Sequence, residues 1–124
     1  MQRDDPASIH GLFHDAFNAG DLDSLVALYE VNAVLVVNGQ PVAGQELIRK
    51  AYEAYLGRKA RMTLKTRSVV MFDDSLALLH GDWILSPAPG DKPGSTTQGM
   101  STEVVRRQPD GSWRFVIDNP YTPG

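Results

Sequence analysis

The sequence predicts an α+β domain in which three N-terminal helices pack on one face of a strongly curved, mostly antiparallel sheet. Two observations support this prediction. Helical spacing of apolar residues is concentrated in the first half of the 124-residue chain, whereas strand-like segments fill the second half. Helices that come early and strands that come late are typical of α+β layer packing. The chain has no internal repeat, and its length fits one domain.

The first two predicted helices are joined by a Gly-Asp corner. Asp5-Pro6 begins the first helix, because an N-cap residue followed by proline is a common helix start, and Gly20 ends it. Asp21 caps the second helix, whose apolar positions extend to Tyr29. The apolar stripe of the first helix consists of Ile9, Leu12, Phe13, Ala16 and Phe17.

A hairpin and a third helix follow. The β-branched run at 33–37 precedes Asn38-Gly39, a dipeptide typical of two-residue hairpin turns, and residues 41–43 supply the short return strand. The third helix is predicted at 44–57. Beyond it we expect a β-meander with strands at 62–72, 76–85, 96–108 and 113–118, a loop at 86–95 and a tail at 119–124.

Composition excludes several classes of function. The formal net charge is −3 and the basic residues are scattered, which is unlike a nucleic-acid-binding surface. Without cysteine there is no disulfide, thiol nucleophile or cysteine metal site. No apolar run approaches the ~20 residues of a membrane span, and no phosphate-binding loop or zinc motif is present. We therefore expect a cytoplasmic protein without cofactor, nucleic-acid partner or membrane partner.

Three segments carry a family resemblance: 20–29 (GDLDSLVALY), 39–49 (GQPVAGQELIR) and 102–114 (TEVVRRQPDGSWR). In this order they resemble the nuclear transport factor 2-like superfamily, which includes ketosteroid isomerases and SnoaL-type polyketide cyclases. The resemblance implies that 1–124 is one SnoaL-like or ketosteroid isomerase-like domain. It implies a cystatin-like cone with a pocket at its open end, and a homodimer formed through the convex face of the sheet.

The catalytic pattern of the isomerases is incomplete in this chain. Those enzymes use a carboxylate base, together with a tyrosine and a protonated carboxylic acid that stabilise the enolate oxygen. The resemblance places Phe13 at the tyrosine position, Val37 at the base position and Glu103 at the position of the second acid. Authentic ketosteroid isomerisation is therefore not expected.

The strand at 76–85 offers a substitute pair of ionisable groups. Strand alternation places His80, Asp82 and Ile84 on one face, and the resemblance implies that this face lines the cone. An imidazole and a carboxylate in an apolar pocket suit acid–base chemistry, because burial and a charged neighbour tune pKa values. The alternative is that His80 and Asp82 face solvent or a dimer partner.

The register of the final hairpin decides whether two carboxyl groups meet. A two-residue turn at Asp110-Gly111 sets Glu103 opposite Asp118, in a pocket that also contains Val105 and Val116. A three-residue turn that includes Pro109 shifts the pairing by one residue and places the two carboxyl groups on opposite faces. The proline favours the second register, whereas the resemblance favours the first.

Several other residues have a structural and a functional interpretation. His10 and His14 have a spacing that can hold a metal, but without a third ligand we interpret them as surface histidines, so no metal site is predicted. Tyr52 and Tyr55 are expected in the core or the pocket wall. The remaining aromatic residues of the strands, Trp83, Trp113 and Phe115, are interpreted as sheet-packing or dimer residues.

Two functions remain open from the sequence. The first is a cofactor-free enzyme that acts on a small, mostly apolar carbonyl compound, with His80 or Asp82 as base and Glu103 or Asp118 as acid. The second is a non-catalytic ligand-binding or dimeric interaction module on the same fold. The candidate pocket wall consists of Phe13, Val37, Tyr52, Tyr55, Ile84, Val105 and Val116.

Overall fold

The protein was analysed as a computed structural model, which describes residues 5–57, 60–87 and 96–121. Three helices precede and interrupt the strands: α1 (Ser8–Ala19), α2 (Leu22–Val26) and α3 (Gln45–Gly57). The strands are β1 (Tyr29–Val37), β2 (Gln40–Ala43), β3 (Arg61–Met71), β4 (Leu76–Ser86), β5 (Thr97–Arg107) and β6 (Trp113–Asn119). Most of the predicted 86–95 loop lies outside the described residues.

The six strands form one curved sheet in the order β2-β1-β6-β5-β4-β3. All neighbouring strands are antiparallel except β1 and β6, which run parallel. The three helices pack against this sheet, so the predicted α+β architecture is confirmed. The core between the two layers contains Ile9, Phe13, Phe17, Leu25, Tyr29, Leu35, Ile48, Leu79, Val105, Trp113 and Phe115.

The helix ends follow local chemistry. Gly20 closes α1 in the left-handed conformation (φ 69°), where its N–H contacts the carbonyl oxygens of Ala16 and Phe17. The Asp21 carboxylate caps α2 by accepting the Ser24 N–H at 3.1 Å. The prediction that the second helix reaches Tyr29 is wrong, because α2 ends at Val26.

Tyr29 instead begins β1. Its backbone pairs with Phe115 on the parallel strand β6, and the Phe115 N–H donates to the Leu28 carbonyl at 2.7 Å. Long-range pairing therefore overrides the helical spacing of the apolar residues before it. At the other end of β1, Asn38 (φ 51°) and Gly39 (φ 78°) form the predicted turn into β2.

The β5–β6 hairpin combines a three-residue turn with a bulge. The Gln108 N–H donates to the Ser112 carbonyl at 2.7 Å, and Arg107 pairs with Trp113, which is the register of the longer turn. The register then shifts between Val104 and Val105, where Val116 is an extra residue on β6.

Candidate functional site

The inner face of β4 is the opposite of the one predicted. Ala77, Leu79 and Trp83 are buried and Gly81 lies among them, whereas Asp82 and Ile84 lie on the outer face. His80 belongs to that outer face too and lies 3.3 Å from the Thr102 hydroxyl. Both faces of β4 carry large aliphatic residues, so alternation alone did not identify the buried face.

Asp82 forms a salt bridge at the protein surface. Its carboxylate accepts hydrogen bonds from the Arg67 guanidinium at 3.0–3.2 Å, and about half of each side chain is exposed. The interpretation of His80, Asp82 and Ile84 as pocket residues is therefore wrong. Their alternative interpretation, a solvent-facing or partner-facing strand surface, agrees with the structure.

A cavity of about 310 Å³ lies between the helices and the inner face of the sheet. Its size falls in the range of small-molecule sites, ~300–1,000 Å³. Apolar and aromatic side chains provide most of the wall: Phe13, Phe17, Leu35, Val36, Val37, Ala51, Tyr52, Met62, Leu64, Trp83, Leu85 and Phe115. The polar residues of the wall are Asn38 in the β1–β2 turn, Thr97, Ser101 and Glu103 on β5, and Asp118 on β6.

The structure brings together five of the predicted site residues at this cavity: Phe13, Val37, Tyr52, Glu103 and Asp118. Val105 is fully buried in the core and does not line the cavity. Val116 is the bulged residue, so Phe115 takes the inward position that was predicted for it. The side chain of Tyr55 lies outside the described part of the structure.

Glu103 and Asp118 form the polar centre of the cavity wall. They are a cross-strand pair, and only 3% and 4% of their surfaces are exposed. The Tyr29 hydroxyl donates to Asp118 Oδ2 at 2.5 Å, and the hydroxyl groups of Tyr29 and Tyr52 lie 2.9 Å apart. The pair thus lies in a hydrogen-bonded network that reaches from β6 to α3.

This environment keeps Asp118 protonated at neutral pH. Burial, and secondarily the charge of Glu103, raise the pKa of Asp118 to about 8, although the hydrogen bond from Tyr29 opposes the shift. Burial and the neighbouring Asp118 also raise the pKa of the Tyr29 phenol well above its ordinary value. At pH 7 the cavity therefore contains a carboxylic acid that can donate a hydrogen bond.

His10, on α1, contacts Glu103 and extends this network to the first helix. Its Nε2 lies 3.0 Å from Glu103 Oε1, its Nδ1 lies 2.7 Å from Thr66 Oγ1, and it is only 2% exposed. The prediction of a surface histidine is wrong for His10, whereas His14 is partly exposed beside Asp15. The spacing of three and seven residues from His10 to Phe13 and Phe17 was the signal that could have located it.

Gly81 makes room for this arrangement. A Cβ at this position would lie 2.8 Å from Ser101 Oγ, 3.0 Å from Leu64 Cδ1 and 3.2 Å from His10 Cε1. These distances are shorter than ordinary van der Waals contacts, ~3.5–4.0 Å between carbon atoms. The side chains of His10 and Ser101 can therefore occupy these positions only because residue 81 has no side chain.

Trp83 and the segment after β6 form another part of the wall. The Trp83 indole N–H donates to the Pro120 carbonyl at 2.7 Å, and its ring meets Tyr121 edge-on with centroids 5.1 Å apart. Trp83 and Phe115 were interpreted as sheet-packing or dimer residues, yet both line the cavity. Pro120 and Tyr121, which follow β6, line the cavity too.

Two further findings concern only the described residues. None of their His, Asp and Glu side chains form a group of three that could hold a metal ion. None of the helices within 5–57, 60–87 and 96–121 has the length and apolarity required to cross a membrane.

The family model of the SnoaL-like domain matches residues 10–116, and the chain therefore belongs to this family. The match includes Glu103 and ends two residues before Asp118. No curated protein sequence matches the chain significantly.

Solved structures agree on the fold. An NTF-2-like protein of unknown function from Shewanella oneidensis is 21% identical, with a TM-score of 0.79 and coverage of 93% of this chain and 94% of that one. A domain of unknown function with a cystatin-like fold from Nostoc punctiforme is 17% identical, with a TM-score of 0.78 and coverage of 95% and 75%. A ketosteroid isomerase-like protein from Erwinia carotovora atroseptica is 18% identical, with a TM-score of 0.67 and coverage of 95% of each chain.

Proposed function

We propose that this protein performs cofactor-free acid–base chemistry on a small, mostly apolar carbonyl compound bound in the cavity. One observation carries the proposal: the buried carboxyl groups of Asp118 and Glu103 lie opposite each other in the wall of a largely apolar cavity. Two neighbouring carboxyl groups in different environments can take distinct acid and base roles.

Each carboxyl group has one role. Glu103 in its carboxylate form removes a proton from the carbon next to the substrate carbonyl, and the electron pair of that C–H bond moves toward the carbonyl oxygen. Asp118 donates a hydrogen bond to this developing enolate oxygen, which stabilises its charge. The proton then returns from Glu103 to carbon, either to the original position or to a conjugated one. His10 orients Glu103 through its contact at 3.0 Å.

This assignment differs from that of the ketosteroid isomerases. Apolar Phe13 and Val37 line the cavity at the two positions where the resemblance expects a tyrosine and the base. The acid–base chemistry is therefore concentrated on β5 and β6. Tyr29, which is contributed by β1, supports Asp118 from the side through its hydroxyl.

Exchange of α-protons tests the proposal without knowledge of the natural substrate. We expect the protein to accelerate deuterium incorporation into 2-tetralone in D₂O, followed by proton NMR. Glu103→Gln and Asp118→Asn should each lower the rate by at least about tenfold, since positioned general acids and bases contribute ~10²–10⁴-fold. Asp82→Asn is the matched control, because this carboxylate lies on the outer face. Wild-type exchange at the buffer rate, or an equal loss in the control, would refute the proposal.

A non-catalytic binding module is the second candidate, and the apolar Phe13 and Val37 positions favour it. In that case 2-tetralone would shift the protein's NMR resonances with no gain in exchange rate. The two candidates therefore differ in a single experiment.

We also propose that the protein forms a homodimer through the outer face of the sheet. An aliphatic row crosses all six strands on this face: Val70, Leu78, Val104, Ile117, Val34 and Ala43. Val70 is 55% exposed and Ile117 45% exposed, which is typical of an interaction surface when such residues are contiguous. Ile117→Lys should yield a monomer in small-angle scattering, whereas Leu47→Lys, on α3, should not change the mass. A wild-type monomer at micromolar concentration would exclude this dimer.

A further inference from the structure

Thr66, His10 and Glu103 form a hydrogen-bonded series that reaches from the cavity wall to the protein surface. The Thr66 hydroxyl oxygen lies 2.7 Å from His10 Nδ1, and His10 Nε2 lies 3.0 Å from Glu103 Oε1. A hydroxyl within hydrogen-bond reach of a base, with the base oriented by a third group, is the arrangement that activates a nucleophile for acyl transfer. The proposed ketone chemistry uses Glu103 but does not use Thr66.

The hydroxyl end of the series lies at the surface. Thr66 is an exposed residue of β3, which is the edge strand of the sheet. His10 and Glu103 are only 2% and 3% exposed, so the imidazole and the carboxylate are shielded from water. The low dielectric of this environment strengthens the contact between them. A reactant from solution therefore meets the threonine and not the histidine.

The fold holds the three groups in this order. His10 belongs to α1, and its ring contacts both β3 and β5 across β4, which lies between these strands. On β4, Gly81 pairs with Thr66, and a Cβ at residue 81 would lie 3.2 Å from His10 Cε1. The absence of a side chain at residue 81 therefore leaves room for the imidazole between Thr66 and Glu103.

The hydrogen bonds favour one tautomer of His10. In its carboxylate form Glu103 has only acceptor oxygens, so Nε2 carries the ring proton and donates it to Oε1. Nδ1 then accepts a hydrogen bond from the Thr66 hydroxyl. Nδ1 is therefore the atom that receives the proton of Thr66 when this hydroxyl attacks a reactant.

The residue after Thr66 supplies a candidate donor for an oxyanion. The pairing of β3 with β4 shifts between Thr66 and Ser68, and Arg67 has no partner residue on β4. The extra residue of a bulge lies outside the regular hydrogen-bond ladder. In α/β-hydrolases the backbone N–H of the residue after the nucleophile stabilises the oxyanion, and Arg67 occupies the equivalent position in the chain.

We infer that Thr66 is a nucleophile for small carboxylic esters, with His10 as its base and Glu103 as the carboxylate that positions the base. The Thr66 oxygen bonds to the ester carbonyl carbon as its proton moves to Nδ1. The bond from that carbon to the alcohol oxygen then breaks, and the leaving oxygen takes the proton from Nδ1. Water cleaves the resulting acyl-threonine by the same two steps and returns a proton to the threonine oxygen. This activity lies outside the cavity and does not depend on the proposed ketone chemistry.

Reaction with p-nitrophenyl acetate tests the inference. Absorbance follows the release of p-nitrophenol, and peptide mass spectrometry locates the acetyl group. We expect an acetyl group on Thr66 that hydroxylamine removes, because its bond is an ester and not an amide. Thr66→Val should lower the protein-dependent rate of release by at least about tenfold, whereas Thr66→Ser should retain it. Thr63→Val is the matched control, because Thr63 belongs to the same strand but pairs with Ile84 of the outer face.

The ring nitrogens of His10 supply a measurement that does not require turnover. ¹⁵N NMR of the wild-type protein should show the ring proton on Nε2. In Glu103→Gln the side-chain amide can donate to Nε2, so the ring proton should move to Nδ1. Acetylation of Thr66 should then slow by at least about tenfold, since the wrong tautomer of the base disables such a series.

Three results would overturn the inference. A ring proton on Nδ1 in the wild-type protein would do so, because Nδ1 could not then accept the proton of Thr66. Acetyl groups confined to lysine side chains and the N-terminus would do so as well, as would release from Thr66→Val at the wild-type rate. None of these results affects deuterium incorporation into 2-tetralone, so the two proposed activities stand or fall separately.

Discussion

Glu103 and Asp118 lie opposite each other on β5 and β6, although the turn between these strands has the register that would separate them. The three-residue turn alone would place Ile117 opposite Glu103. Val116 is an extra residue on β6 that shifts the pairing by one position. Asp118 therefore pairs with Glu103 and points inward. As a result Phe115 and Asp118, three residues apart, both line the cavity.

The raised pKa of Asp118 predicts a stability that decreases with increasing pH. Between the unfolded pKa near 3.8 and the folded pKa of about 8, the folded state keeps a proton that the unfolded state has lost. The contribution of Asp118 is therefore complete below the unfolded pKa, decreases by about 1.4 kcal/mol per pH unit in that window, and is lost above pH 8.

Urea unfolding at pH 5.5, 7.0 and 8.5 measures this dependence. Asp118→Asn removes the titrating group and should flatten the slope, even if its stability at a single pH differs from wild type. Parallel slopes for the two proteins would contradict the assignment of the raised pKa to Asp118.

Removal of the Tyr29 hydroxyl should raise the pKa of Asp118 further. That hydroxyl donates to Oδ2, and this hydrogen bond lowers the pKa against the effects of burial and of Glu103. In Tyr29→Phe, a ¹³C NMR titration of the Asp118 carboxyl should therefore give a midpoint above about 8. Tyr121→Phe is the control, because Tyr121 contacts Trp83 through its ring and is 60% exposed. A lower midpoint in Tyr29→Phe would reverse the interpretation of this hydrogen bond.

The two histidines of α1 should differ sharply in their contribution to folding. His10→Ala leaves Glu103 buried without this partner and creates a cavity, which should cost roughly 2–4 kcal/mol. His14→Ala should change the free energy of unfolding by less than about 0.5 kcal/mol, because His14 is partly exposed. Urea denaturation compares the two variants, and equal effects would argue against a buried His10–Glu103 contact.

Two glycine-to-alanine changes should have opposite signs. Gly81→Ala introduces a Cβ that contacts Ser101, Leu64 and His10, and we expect a loss of about 1–3 kcal/mol. Gly11→Ala lies within α1, where an added Cβ meets nothing within 4 Å, and should stabilise the protein by about 0.5–1 kcal/mol. Thermal unfolding of both variants measures the signs. If Gly81→Ala leaves the unfolding temperature unchanged, the side chains around residue 81 can shift to accommodate the added Cβ.

Much of the architecture was predictable because its signals are local. Gly20 and Asp21 end and begin helices through their own backbone and side-chain chemistry, and Asn38-Gly39 adopts the positive φ angles of its turn. The family resemblance also placed Glu103 correctly at the cavity. The end of α2 was not predictable in this way, because Tyr29 pairs with Phe115 far along the chain.

The set of residues that line the cavity could not be predicted from sequence patterns, because it depends on contacts between distant parts of the chain. Alternation divides β4 into two faces, and both contain large apolar residues: Leu78 and Ile84 on one face, Leu79 and Trp83 on the other. Only packing against the helices therefore determines which face is buried. His10 contacts Glu103, which is 93 residues later in the chain. The extra residue Val116 reverses the register shift that the three-residue turn with Pro109 introduces. The sequence by itself determined which elements form and in what order. The tertiary structure decided which side chains share the cavity, since a shift of one strand residue reverses the direction of each side chain that follows.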